Sequence, residues 1–218
     1  MDKIIEQIEN WGFLQGLAVE LEGFRLNRIF KQEGMKYFLF SYCHEEQHRI
    51  FTVLYDHATR DFMGRIVFGL TEFIDTTFIV NNLAALEKIL CEKMQQTLRR
   101  LLHFDKNTLE SNFINKKILE WKYGHNLPKQ IADFDLFISP CEPLRIINGS
   151  YIIIDYSNFR LESNLIIYYN IYRDEFFGEI RINRTPRMTA TFDALSLTEL
   201  EDKLEAHLVT ELNSIRHK

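Results

Sequence analysis

The sequence predicts an α+β fold: two tandem pseudo-repeats, each an antiparallel β-meander followed by a long C-terminal helix, packed as one pseudo-twofold body. Three observations predict it. Residues 37–101 match residues 151–215 without a gap. In each half, aromatic and β-branched runs succeed one another across breaks too short for parallel crossovers. Each series of runs then gives way to apolar residues at helical spacing.

The match appears at an offset of 114 residues, the distance from Tyr37 to Tyr151. Tyr42 and Tyr55 then meet Tyr156 and Tyr169, and Phe62, Gly64 and Ile66 meet Phe176, Gly178 and Ile180. Thr71, Thr77 and Phe78 meet Thr185, Thr191 and Phe192. Leu83, Leu86, Glu87, Leu90 and Leu98 meet Leu197, Leu200, Glu201, Leu204 and Leu212. That makes about 14 identities over roughly 65 positions, the mark of a repeated unit of about 110 residues. Before Tyr37 the match decays, although "NWGF" loosely resembles "KYGH". The units are expected at residues 1–104 and 105–218.

Within each unit the strands come first. "KYFLFSY" and "SYIIIDY" carry the residue types that suit a pleated surface. "RIFTVLYD" and "NLIIYYNIY" follow, then "DFMGRIVFG" and "EFFGEIRIN", then "FIDTTFIV" and "RMTATFDA". Gly64 and Gly178 fall at matching strand positions, where a bulge or a close backbone approach is expected. Leu83, Leu86, Leu90, Met94 and Leu101 form one helical stripe, and Leu197, Leu200, Leu204, Leu208, Leu212 and Ile215 another. Asn82 and Ser196 stand where N-caps belong. Further helices are expected over Lys3–Glu9 and residues 108–123. "FTVLY" and "LIIYY" are apolar at nearly every position, so Val53 with Leu54 and Ile167 with Tyr168 should be buried on both sheet faces. The cheapest cover is the sister unit, and "HFDKNTLES", without Gly or Pro, predicts a stiff junction.

Composition narrows the function classes. The 218 residues carry a net charge of −5, and 46% are hydrophobic. No charged tail suggests nucleic acid or an anionic membrane, and no apolar run reaches the roughly 18 residues that span a bilayer. The N-terminus lacks a signal-peptide core. Cys43, Cys91 and Cys141 are odd in number and far apart, which fits reduced thiols and a cytoplasmic protein better than a disulfide framework.

One stretch names a chemistry. His44-Glu45-Glu46-Gln47-His48 is a literal H-E-x-x-H, the zinc-hydrolase pattern. That chemistry needs both histidines on one helix face, with the glutamate as base beside the metal-bound water. Here the stretch lies between two strand-like runs. Its counterpart, "SNFRLES", has Asn158 and Glu162 in place of the histidines yet joins two strands just the same. In a strand, positions i and i+4 lie roughly 13 Å apart, too far to share one ion. A hairpin turn is therefore favoured, with a metal at His44 and His48, or at nearby His57, as the alternative.

Arg181, Arg184 and Arg187 lie near Tyr168, Tyr169 and Tyr172, a basic-plus-aromatic grouping that can serve single-stranded nucleic acid. Charge on an exposed edge strand explains it equally, and the acidic chain weighs against nucleic acid. Phosphate-cradling loops, a dinucleotide fingerprint and a nucleophile elbow are all missing from the sequence, and Cys141 in "SPCEP" has no base that the sequence can place. No catalytic residue is assigned and no cofactor is expected. Three classes remain. The first is a non-catalytic protein-binding module: an adaptor, a chaperone-like protein or an immunity-like inhibitor. The second is a zinc-dependent hydrolase through His44, Glu45 and His48. The third is a small-molecule sensor with an aromatic-lined cavity.

Overall fold

A computed structural model describes residues 3–216, and the chain divides into a first unit, Met1–His103, and a second, Phe104–Lys218. Both combine an antiparallel sheet with helices, an α+β architecture. Among the described residues, no helix is long and apolar enough to cross a membrane.

The first unit starts with helix α1 (Lys3–Glu9) and a 3-10 turn over Gly12–Gly16. Strands β1 (Glu20–Leu21), β2 (Phe24–Glu33), β3 (Lys36–His44), β4 (Arg49–Asp56), β5 (Asp61–Phe68) and β6 (Thr71–Val80) follow, and helix α2 (Leu83–Leu102) closes the unit. The sheet order is the sequence order, β1 to β6, as breaks of a few residues require. Local chemistry sets the turns. Gly34 takes a φ of +59 between β2 and β3. Asp56 accepts the amide of Ala58 at 2.8 Å and so turns the chain into β5. The register slips between Phe38 and Phe40 and again between Phe62 and Gly64. At the second bulge a Cβ on Gly64 would stand 2.8 Å from the Cβ of Phe78, so only glycine lets β6 approach.

Helix α2 begins at Asn82, whose side chain accepts from the Ala85 amide at 2.9 Å. Its buried stripe is Leu86, Leu90, Met94, Leu98 and Leu101. Among the bonds that tie down the N-terminal segment, Trp11 Nε1 donates to Glu87 of α2 at 2.8 Å, and the Tyr42 hydroxyl donates to the carbonyl of Ala18 at 2.7 Å.

In the second unit the expected helix over residues 108–123 is broken. A 3-10 turn (Lys106–Thr108), helix α3 (Ser111–Asn115), a second 3-10 turn (Ile118–Glu120) and helix α4 (Lys122–His125) take its place. The break falls at Lys117, in the left-handed region at φ 58, between helix α3 and the second 3-10 turn. Phe113, Ile118 and Trp121 all enter the core from these short pieces. Strands β7 (Gln130–Ile131), β8 (Phe134–Ile138), β9 (Leu144–Arg145), β10 (Ser150–Asn158), β11 (Ser163–Asn170), β12 (Glu175–Ile182) and β13 (Thr185–Ala194) precede helix α5 (Leu197–Arg216). The sheet runs β13-β12-β11-β10-β8-β7, with β9 beside β10.

The register slips here between Ile152 and Ile154, and between Phe176 and Gly178. Ser196 caps α5 by accepting the amide of Glu199 at 3.1 Å. Leu200, Leu204, Leu208, Leu212 and Ile215 are buried with Tyr151, Tyr156, Leu165 and Phe192. Each such side chain contributes about 1.5–3 kcal/mol by leaving water. Trp121 Nε1 donates to Glu201 of α5 at 2.9 Å, and the Tyr156 hydroxyl donates to the carbonyl of Pro128 at 2.6 Å. Val53, Leu54, Ile167 and Tyr168, chosen as two-faced strand positions, are all buried, at no more than 4% exposure.

Candidate functional site

The H-E-x-x-H stretch is the connection between β3 and β4. His44 ends β3 and pairs with Arg49, while residues 45–48 form a turn closed by the His48 amide on the Glu45 carbonyl at 3.0 Å. His48 adopts a φ of 51 on that turn, and His44 packs its ring edge-on against Phe24, 5.7 Å between centroids. The two imidazoles therefore do not share a helix face. Nδ1 of His44 is buried without a hydrogen-bond partner. Among the described residues, no group of three or more His, Cys, Asp or Glu side chains is placed to hold an ion.

The arginines are dispersed. Arg181 on β12 pairs with Glu179 at 2.5 Å, and both side chains are largely buried. Arg184, in the β12–β13 turn, pairs with Glu162 at 2.5 Å, and Arg187 is exposed on β13. Tyr168 is buried, with its ring stacked on Phe177 at 4.9 Å. Burial, and then the neighbouring Glu179, raise its phenol well above the usual range. The structure brings Arg181 and Tyr168 together and leaves Arg184 and Arg187 outside that pair. Tyr168 presents no open ring face of the kind on which a base stacks.

Two groupings were not singled out in the sequence. The first is a shallow cavity of about 330 Å³ lined by Asn112, Asn115, Lys116, Tyr169, Ile171 and Asp174. Lys116 Nζ reaches across it to the Asp174 carboxylate at 2.6 Å and to the Leu195 carbonyl at 2.9 Å. The Tyr169 hydroxyl donates to the same Asp174 oxygen at 2.8 Å. Lys116, then Tyr169, hold that carboxyl below the usual aspartate range. Ile114, Tyr172 and Leu195, which adjoin these residues in sequence or through Lys116, are exposed at 53%, 72% and 69%. Short-range sequence patterns do not reveal this site, because Lys116, Asp174 and Leu195 lie far apart along the chain.

The second is a polar cluster inside the sheet. Asp155 on β10 is wholly buried, and its Oδ1 accepts from Ser157 Oγ at 2.7 Å and Asn164 Nδ2 at 3.1 Å. Burial pushes the carboxyl from 3.8 up to about 6, against the two hydrogen bonds and the charge of Arg181. A charged residue inside the apolar run "SYIIIDY" was the available signal. The three thiols, Cys43, Cys91 and Cys141, are free, and the last two are exposed. No family model matches this chain, and no curated protein or solved structure matches it either.

Proposed function

We propose that this chain is a non-catalytic, protein-binding protein built from a duplicated α+β unit, with its contact surface around the Lys116 cavity of the second unit. The observation that carries the binding reading is the exposure of Ile114, Tyr172 and Leu195, which neighbour the cavity's Lys116 and Asp174 along the chain or through the Lys116–Leu195 bond. Lys116 and Asp174 neutralise each other across it, so neither is left to attract an ionic small molecule. Ile114, Tyr172 and Leu195 stay in water nearby, and clustered exposed apolar side chains mark contact surfaces more often than chemistry. Tyrosine in particular supplies rigid, amphipathic contact area at protein interfaces.

Several shared details support the duplication. The bulges at Phe38/Phe40 and Phe62/Gly64 have partners at Ile152/Ile154 and Phe176/Gly178, at the offset of 114. The tryptophan–glutamate bonds, Trp11 to Glu87 and Trp121 to Glu201, occupy equivalent places, as do the tyrosine–carbonyl bonds of Tyr42 and Tyr156. A cytoplasmic setting belongs to the same reading, since exposed free thiols such as Cys91 and Cys141 persist best in a reducing compartment.

The test is a comparison of complexes. The full chain and a Tyr172→Asp, Leu195→Asp variant are each crosslinked in extracts of the source cell, and the captured proteins are identified. A defined partner retained by the parent and lost by the equally stable variant supports the reading. Identical capture by both, or a turnover of substrate traced to the purified chain, would overturn it.

A further inference from the structure

We infer that Asp155 and Asn164 form a buried acid–amide pair, which holds a proton in mildly acidic solution and gives it up towards neutral pH, loosening the pairing of β10 with β11. Strand register brings the pair together. Ser157 stands directly opposite Asn164, and Asp155 lies two residues earlier on the same sheet face. Asn164 Nδ2 and Ser157 Oγ both donate to Asp155 Oδ1. Two atoms of this joined pair are left over, Asp155 Oδ2 and Asn164 Oδ1, and both are buried without a hydrogen-bond partner.

Both leftover atoms are oxygens. With the acid ionised, both can only accept, and two buried acceptors remain unsatisfied at a desolvation cost for each. A single proton on Oδ2 changes this: the acid can donate to Asn164 Oδ1 while the amide donates to Oδ1, which closes a ring of two complementary bonds. No other single atom satisfies both orphans within the pair.

The neighbouring cation, Arg181, is already paired with another carboxylate, Glu179. From β10, Ser157 donates a neutral hydrogen bond; from β8, Ile138 stands opposite Asp155. From β11, Tyr168 keeps its phenol protonated, with its hydroxyl 3.4 Å from Glu179 and from Arg181. From β12, Arg181 lowers and Glu179 raises the pKa of Asp155, and these two are paired with each other. Burial remains as the first cause, and it favours the neutral acid.

The sign of the effect follows. The carboxyl titrates near 3.8 when unfolded and about 6 when folded. Between these values the folded state binds the extra proton, so stability falls as pH rises. The contribution of Asp155 is complete below 3.8 and lost as pH passes through about 6. The difference corresponds to roughly a hundredfold in the folding equilibrium constant.

Side-chain carboxyl carbon-13 NMR on the full chain reads the proton directly, and urea midpoints at about pH 5 and about pH 8 read its consequence. Asp155→Asn is the decisive variant, because its amide donates permanently from the Oδ2 position. One carboxyl titrating near 6 is expected in the parent and absent in the variant. The parent should lose stability relative to the variant by roughly tenfold in the folding equilibrium constant between the two conditions. An Asp155 carboxyl that titrates in the usual aspartate range would overturn the inference. So would a variant equally weakened at both pH values, the behaviour of an ionised acid held by a buried water or by Arg181. If the variant does not fold, the titration of the parent alone decides.

Discussion

The sheet face that carries Asp155 in the second unit carries no charge at the matching place in the first. Ser41 and Cys43 of β3 sit two residues apart, with Oγ and Sγ at 3.3 Å. Asp155 and Ser157 of β10 have the same spacing and a bond of 2.7 Å. Opposite Cys43 stands Ile50, and opposite Ser157 stands Asn164. The same local backbone thus holds a neutral pair in one unit and an acid with an amide in the other. A pleated pair of strands dictates which side chains meet, but not whether their meeting needs a proton. What the units share should respond alike to substitution, and what differs should respond in one unit only.

The largest expected effects test what is shared. Leu86 and Leu200 occupy equivalent positions on α2 and α5, and both are fully buried. Leu86→Ala and Leu200→Ala should each cost about 2–5 kcal/mol in urea or thermal unfolding, through lost transfer energy plus a cavity. A cost confined to one of them would break the equivalence of the two helices.

Next come the bulge glycines, where the units should diverge. A methyl group at Gly64 meets the Cβ, Cγ and Cδ2 of Phe78 at 2.8–2.9 Å, and a Cβ is fixed by the backbone of β6. At Gly178 the nearest atom is the Thr189 methyl at 2.9 Å, with Phe192 at 3.1 Å. A threonine can turn about χ1 more readily than a strand can retreat. Gly64→Ala should therefore cost about 1–3 kcal/mol, as overpacking does, and Gly178→Ala should cost less. Equal costs, measured as unfolding midpoints, would mean that strand β6 yields as easily as a side chain.

These outcomes bear on what the sequence could disclose. Helices α2 and α5 were legible because five apolar side chains on each recur at three or four residues behind a capping Asn82 or Ser196. The hairpins were legible because their breaks are short, and the H-E-x-x-H stretch was legible as one of those breaks. If the units are duplicates as proposed, their likeness upstream of Tyr37 was not. Phe24 precedes Tyr37 by 13 residues, whereas Phe134 precedes Tyr151 by 17, because the loop through Pro140 and Pro143 is longer. An ungapped comparison loses register there, and Trp11 with Trp121, 110 residues apart, goes unmatched. The broken helices before His125 were misread because apolar spacing cannot show that Lys117 adopts a left-handed φ of 58. The Lys116 cavity depends on side chains brought together only by the fold, and Asp155 looked like one more strand residue until its burial was known.

Removal of a single hydroxyl is a finer probe. Tyr42 and Tyr156 each donate to a carbonyl of the segment before the first strand of their own sheet, Ala18 and Pro128. Phenylalanine keeps the ring and leaves that carbonyl without its donor. Tyr42→Phe and Tyr156→Phe should each cost about 1 kcal/mol, and hydrogen exchange should quicken in the segments that the bonds anchor. An unchanged exchange pattern in either variant would show that the other bonds to the segment, such as Trp11–Glu87 or Trp121–Glu201, hold it without the hydroxyl.

The smallest expected effect lies at the helix ends, where an acid from the first turn of each sheet meets an arginine near the end of the long helix. Glu22 pairs with Arg99 at 2.8 Å, and Asp133 pairs with Arg216 at 3.0 Å. Both pairs are at the surface, so water and salt screen them, and Arg216→Ala should barely move the unfolding midpoint at neutral pH. The first pair still leaves a clear signature in acid. Arg99, then Gln95, hydrogen-bond the Glu22 carboxylate and draw its pKa from 4.5 down to about 2. A depressed carboxyl binds fewer protons when folded, so its contribution is present above 4.5 and is lost as pH falls towards about 2. This is opposite in sign to the Asp155 effect and lies in a lower pH range, so the two can be read separately in one chain. Arg99→Ala should return the Glu22 titration, followed by carboxyl carbon-13 NMR, most of the way to the ordinary glutamate range, and added salt should do part of the same in the parent. If Glu22 still titrates near 2 in the variant, Gln95 and the turn backbone hold the carboxylate, and the arginine at the helix end is only a neighbour.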